Sequence, residues 1–313
     1  MNINFYEQSS EDGHEKFYRG ISRLKNDFIP QDHPGFDIQC PLPKRNPNKK
    51  TAYVIGTGPS LRGIDMSLLR DKKTITFNRA YIAFEDWGFD PSYYMCIDCE
   101  DIKSIGDDVS NLIETSKIEH FFLPDEFQIG HGKENVTLLQ NIPEAWAILH
   151  CLSSYIYMKD RNLIITNLMP NAGWMGVKML YLMGYSEVAL LGCDARYRVD
   201  DESQRSIVWD SSGCVSEEDY DVNHFRDDYF GKGQRFGRPI DEDQLKRQWT
   251  QLKAEVDVIS HQINAGVNYD KEEYSKICSM NDFQFKVYSC SEGSNLNSLF
   301  PYIPFEEFVA GKR

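Results

Sequence analysis

The sequence predicts an α/β protein: Rossmann-like, with a mainly parallel sheet and helices on both faces. Three observations carry this. From Thr51 onward, short runs of β-favouring residues alternate with segments of helical periodicity, as in successive βαβ units. Thr51 to Asp65, TAYVIGTGPSLRGID, passes from an apolar strand through a glycine-rich turn into a helix-compatible segment. Asn171 to Asp194, NAGWMGVKMLYLMGYSEVALLGCD, reads as a buried helix, a glycine stop and a core strand.

In chain order, residues 1–50 are expected to form an accessory arm outside the Rossmann-like domain at 51–313. The arm has one helix from His14 to Lys25, then a proline-containing polar tract from Pro30 to Lys50 that cannot make a core strand. In the Thr51 stretch, Tyr53, Val54 and Ile55 supply the strand, and Gly56, Thr57, Gly58, Pro59 and Ser60 the turn. Gly56 and Gly58 let the backbone approach a ligand, while Ser60 caps the following helix and leaves N–H groups aimed at an anion. An ordinary strand-to-helix turn accounts for the same residues. The glycines miss the G-x-G-x-x-G spacing, and Asn78 stands about twenty residues on, where a dinucleotide fold places a ribose-binding acid. NAD is therefore disfavoured, and a mononucleotide or sugar nucleotide stays open.

Further strands are expected at Lys73 to Asn78, Ser92 to Asp98 and Glu119 to Leu123, with a helix carrying Ile102, Ile105, Val109 and Ile113 between the last two. Between Asn135 and Asn167 the pattern predicts a helix at Pro143 to Ser154 and a short strand at Leu163 to Thr166. Asn171 then caps a helix whose Ala172-Gly173 start leaves the backbone bare, and Gly184 ends it. Glu187 to Leu191 follows as a core strand with Gly192-Cys193-Asp194 at its carboxyl end. Ligands of open α/β sheets lie outside such ends, so helix N-termini after Gly58 and at Asn171 are expected to face one crevice.

Ala195 to Pro239 is polar and irregular, which suggests a lid-like insertion at 195–239. Within it, Asn223 to Pro239 mixes His224, Tyr229 and Lys232 with three arginines and three glycines and reads as a substrate-covering loop. Leu245, Trp249, Leu252, Val256, Ile259 and Ile263 then mark an amphipathic helix by spacings of four and three. Lys286 to Ser289 makes a last strand, and Asn295 to Phe308 packs as a closing segment.

A chain of 313 residues, 41% hydrophobic, is long enough for one large α/β domain. Its formal net charge of −14 argues against a nucleic-acid or anionic-membrane surface while leaving room for a local basic pocket. The eight cysteines follow no disulfide spacing and read as reduced, buried thiols. Cys96 and Cys99 form a lone C-x-x-C with no second ligand pair. With no basic start followed by an apolar core, and no run of eighteen apolar residues, the chain is expected to be cytoplasmic, and a homo-oligomer stays open.

With GTGPSLRGID, TFNRAY, PSYYMCID and NAGWMGVKMLYLMGYSEVALLGCDARY in that order, residues 51 to 300 or so resemble the bacterial family 42 sialyltransferases. They also resemble the wider group of motility-associated glycosyltransferases and hydroxymethylpterin pyrophosphokinase-like proteins. The resemblance implies a modified Rossmann fold that binds a CMP-linked sugar and transfers it to a glycan hydroxyl with inversion, without a metal or other cofactor. Gly56, Thr57, Gly58, Pro59 and Ser60 would line the nucleotide, with Asn78 and Asp98 at the ends of the next strands. Asn171, Ala172 and Gly173 would match the family's Thr-Ser-Gly helix start, and Asp194 its G-x-D aspartate. His224 would be the general base, because histidine as a residue type titrates near neutrality. Arg196, Tyr197, Tyr229 and Lys232 would supply donors to the leaving phosphate. Thr57, Asp98 and Ala195-Arg196-Tyr197 depart from the family pattern.

Two other readings compete. A pyrophosphokinase using ATP and Mg²⁺ would need Asp98, Glu100 and Asp194 to converge, although Asp98, Glu100 and Asp101 equally suit a solvated helix start. A nucleotide-binding protein without activity would keep the fold and lose the base.

Overall fold

The computed structural model describes residues 51–141, 156–158, 162–166, 171–197, 207–210, 213–236, 242–265 and 285–312. The expected arm at residues 1–50 and the helix at Pro143 to Ser154 lie outside them.

Among the described residues the core is a nine-stranded sheet. In chain order its strands are β1 (Thr51–Ile55), β2 (Thr74–Phe77), β3 (Tyr93–Met95), β4 (His120–Pro124), β5 (Val136–Asn141), β6 (Ile156–Met158), β7 (Leu163–Thr166), β8 (Glu187–Leu191) and β12 (Lys286–Ser289). A separate three-stranded antiparallel sheet contains β9 (Ile207–Asp210), β10 (Gly213–Ser216) and β11 (Arg235–Phe236). The spatial order of the large sheet is β12-β8-β1-β2-β3-β4-β5-β7-β6, and every pairing is parallel except β6 with β7. From β1 the chain builds outward through β5 to β7 and the edge strand β6, then returns to lay β8 and β12 on the other side of β1. The order reverses between β1 and β8, and their carboxyl ends form the topological switch point where such sheets hold ligands.

Side-chain alternation divides the core into two layers. Tyr53 and Ile55 of β1 point into one layer, joined by Ile102, Ile105 and Val109 of α2 (Cys99–Thr115), after a short α1 (Phe84–Trp87). Phe305 and Phe308 of α5 (Phe305–Val309) close that layer edge-on to Tyr53. Ala52 and Val54 point into the other layer, against α3 (Ala172–Leu182) and α4 (Glu242–Ala265). α3 is buried all round because the sheet covers one side and Trp249, Leu252 and Val256 of α4 the other. That explains an apolar sequence with little amphipathic bias.

Three expectations change. β1 is followed by a three-residue 3-10 turn, Pro59–Leu61, with Gly58 as its N-cap and no side-chain cap; Ser60 lies within the turn. Proline at its first position suits such a start, but the chain extends at Arg62 and no α-helix propagates. The stretch from Ala195 to Pro239 is not irregular throughout, since it supplies the antiparallel β9, β10 and β11. Lastly, β5 and β6 extend the sheet in the region where the sequence shows a single strand, β7.

Candidate functional site

At the switch point the two strand ends meet backbone to backbone. The Gly56 N–H donates to the Leu191 carbonyl at 2.7 Å and the Gly58 N–H to the Gly192 carbonyl at 2.8 Å. A Cβ on Gly56 would stand 2.4 Å from the Gly192 oxygen, and one on Gly58 2.5 Å from Asp194 Oδ2. These glycines are therefore required by the neighbouring loop. Gly192 itself has φ +62°, and a Cβ there would come within 2.8 Å of the Gly56 oxygen, so glycine serves both chains at this crossing.

Asp194 takes the place that the expected helix cap left open. Its Oδ2 accepts the Ser60 N–H at 2.9 Å, tying the end of β8 to the turn after β1. The segment after β12 holds the same loop from behind: Ser291 Oγ accepts the Gly192 N–H at 2.8 Å, Ser294 Oγ donates to the Cys193 carbonyl at 2.8 Å, and the Asn295 N–H donates to the Asp194 carbonyl at 3.1 Å. Cys193 is a buried thiol, with its pKa raised by burial and then by the Asp194 charge.

Asn171 caps α3 as expected, accepting the Trp174 N–H on Oδ1 at 3.1 Å. Gly173 has a packing role: a Cβ there would stand 3.1 Å from the Trp249 indole and 3.3 Å from Cys193 Sγ, so the helix start is covered. Ala172 is partly buried in the same layer. Asn78, at the end of β2, has φ +49°, and its carbonyl accepts the Tyr94 hydroxyl at 2.6 Å. Asp98 is exposed and accepts the Asp101 N–H at 3.2 Å, which makes it the cap of α2. Four of these residues carry a buried side-chain atom with no hydrogen-bond partner among the described residues: Ser60 Oγ, Asn78 Oδ1, Asn171 Nδ2 and Asp194 Oδ1. Ser60, Asn78 and Asp194 follow the neighbouring strands β1, β2 and β8, and Asn171 caps α3, which packs over them.

The segment between β10 and β11 lies against this edge and brings His224 to it. The Phe225 N–H donates to the Thr57 carbonyl at 2.9 Å, anchoring the segment on the glycine-rich turn. His224 Nδ1–H donates to Asp221 Oδ2 at 2.7 Å, and both residues are buried. A carboxylate only accepts, so this bond places a proton on Nδ1, and in the neutral ring Nε2 is then the acceptor. Tyr229 stacks flat on the His224 ring at 4.1 Å and 8°. Its hydroxyl meets the Arg79 N–H at 3.3 Å and bonds the Thr57 side chain, so Tyr229 is a platform beneath the imidazole. Burial, followed by the Asp101 charge, holds its hydroxyl well above the usual phenol range. Tyr197 meets the His224 ring edge-on at 6.1 Å, with its hydroxyl pKa raised by burial and then by Asp221 and Asp101.

Arg196 and Lys232 are exposed, and the backbone N–H of Lys232 donates to Asp219 Oδ1 at 2.7 Å. Neither side chain is brought to His224 by any contact seen here. Sequence reasoning missed Asp221, whose i, i+3 spacing to His224 is a usable signal, and missed Arg62 and Arg79, which hold the segment from below. Among the described residues no three His, Cys, Asp or Glu side chains gather as a metal-holding group. No helix among them is long and apolar enough to cross a membrane.

Fold and crest together define a doubly wound, Rossmann-like α/β protein with a buried Asp-His pair beside the switch point. No family model matches the chain, and no curated protein does. Among solved structures it is similar to the Campylobacter jejuni sialyltransferase CstII in complex with CMP-3FNeuAc, at 12% identity over 82% of this chain and 86% of that one, with a TM-score of 0.40. The monofunctional α-2,3-sialyltransferase Cst-I of the same organism gives 14% identity over 83% and 82%, also at 0.40. The MAf glycosyltransferase of Magnetospirillum magneticum AMB-1 gives 12% over 98% of this chain but 39% of that one, at 0.42. These are proteins of the group that the motifs resemble. Identities and scores this low leave the site to be argued from the chain's own residues.

Proposed function

We propose that the chain is a glycosyltransferase that moves a sialic-acid-like sugar from a CMP-linked donor to a glycan hydroxyl with inversion. The observation that carries this reading is the buried Asp221–His224 pair docked on the glycine-rich turn at the switch point. His224 Nε2 takes the acceptor proton as the hydroxyl oxygen bonds to the anomeric carbon. The bond from that carbon to the phosphate oxygen breaks, and CMP leaves with the electron pair. Asp221 then faces an imidazolium and stabilises it.

Ser60, Asn78, Asn171 and Asp194 hold the nucleotide in this reading, because buried polar atoms normally have partners and theirs have none among the described residues. Tyr197, Arg196 and Lys232 serve the departing phosphate. Residues 51–313 make the catalytic domain, 195–239 its insertion over the site, and 1–50 an arm. Mg²⁺ is needed only by the competing kinase chemistry, in which Asp98 and Asp194, each accepting one backbone N–H, would have to turn to a shared ion.

The test is CMP release from a CMP-linked sialic acid in the presence of a glycan acceptor. His224→Gln is expected to lower turnover by roughly 10²–10⁴-fold while CMP binding persists. In a thermal-shift panel of CMP, CDP, UDP, GDP and ATP, a ligand at a hundred times its Kd adds about 2.7 kcal/mol. Stabilisation by CMP without Mg²⁺ supports the reading, whereas stabilisation by ATP only with Mg²⁺ overturns it.

A further inference from the structure

We infer that Arg62 is the positioning residue of the Asp221–His224 pair, an assignment that rests on His224 acting as the base. Arg62 ends the turn that begins at Pro59, and its own N–H donates to the Pro59 carbonyl at 2.9 Å, so its backbone belongs to the same small unit that Asp194 grips through Ser60. From there the side chain reaches across 162 residues of sequence to the His224 carbonyl, with Nε at 3.3 Å and Nη2 at 2.8 Å. Nη2 also lies 3.0 Å from the Asp221 carbonyl and 2.8 Å from Asp227 Oδ1.

The fork thus binds the carbonyls at both ends of the turn that carries the pair. Fixing those two oxygens fixes the separation of the two α-carbons, and with it the 2.7 Å bond between the side chains. The ion pair with Asp227 cannot do this work, because its side chains are 45% and 64% exposed and such pairs contribute little. What matters is the planar set of donors. Lysine keeps the charge and has three donors, but on a flexible stem and without a second nitrogen in the place of Nε to grip the His224 carbonyl, so it holds the two carbonyls less rigidly. Arg62 also joins the two halves of the site, since one turn receives Asp194 at Ser60 and sends Arg62 to the base.

The experiment is nitrogen NMR on the full chain labelled at histidine, with the His224 ring assigned by its loss in His224→Gln. Unaltered protein is expected to show His224 held as the Nδ1–H tautomer. Arg62→Lys and Arg62→Ala are expected to lose that fixed tautomer, and Asp227→Asn to keep it. In the transfer assay the Arg62 variants are expected to lose about tenfold or more in kcat with the donor KM unchanged, and Asp227→Asn nothing. A fixed tautomer retained in Arg62→Lys overturns the assignment, as does an equal loss in Asp227→Asn. If Arg62→Ala does not fold, Arg62→Lys decides. Absence of CMP release by unaltered protein would refute the transferase reading instead, and the tautomer measurement separates the two failures.

Discussion

The crossing of β1 and β8 and the segment between β10 and β11 sit side by side but are held by different physics. At the crossing, backbone meets backbone, and glycine leaves no room for any side chain. The other segment is held mainly by side chains: Arg62 and Arg79 reach its carbonyls, its own Arg226 reaches the Ile82 carbonyl and Asp86, and the stacked rings of His224 and Tyr229 fill its centre. One region tolerates no addition. The other tolerates single losses in proportion to burial.

The harshest break is Gly56→Ala. A Cβ 2.4 Å from a backbone oxygen can be relieved only by moving β8, so we expect about 3 kcal/mol or more of destabilisation, read from the urea midpoint. Acid probes the sheet at one buried group. His120, buried beside Thr137, is lowered by burial from its ordinary 6.5 to about 4. It folds neutral, so the unfolded chain binds the extra proton: its contribution is complete above the unfolded value and is lost as pH falls from 6.5 toward 4. On the order of 3 kcal/mol is at stake, and His120→Gln should flatten that part of the stability–pH curve.

Within the segment, Tyr229→Phe keeps the ring platform but strips the hydroxyl from the Arg79 N–H and Thr57, for a loss of about 1 kcal/mol in thermal denaturation. A loss as large as that of Gly56→Ala would erase the distinction drawn here. Arg226→Ala should matter least. Its pairs with Asp86 and Asp228 are largely exposed, although the guanidinium does hold the Asp228 carboxyl below its ordinary range. The expected change is about 0.2–1 kcal/mol, diminished further by salt.

Strand β1, the α3–β8 unit, α4 and β12 were legible because each carries a strong local signal: a β-rich run before glycine, an Asn cap before a wholly apolar helix, or a repeat of three and four. β5 and β6 were not, because Val136–Asn141 and Ile156–Met158 are short apolar stretches whose identity depends on the strand beside them. The helix expected after Gly58 failed for a related reason. Asp194, from 134 residues away, caps the Ser60 N–H, but the backbone extends at Arg62 and the turn stops after three residues.

From the sequence alone followed the doubly wound class, the glycine-rich turn, the Asn171 cap of α3 and the place of Asp194 after the end of β8. These depend on local periodicity and on the rule that strand ends gather ligands, which need no coordinates. Tertiary structure alone decided what each residue does there: Gly56, Gly58 and Gly173 fit neighbouring atoms, Tyr229 lies under the imidazole, and Asp221 and Arg62 hold it. The roles of Gly56, Gly58 and Arg62 arise from contacts between segments more than a hundred residues apart, and even the local Asp221, His224 and Tyr229 cluster depends on how its segment packs.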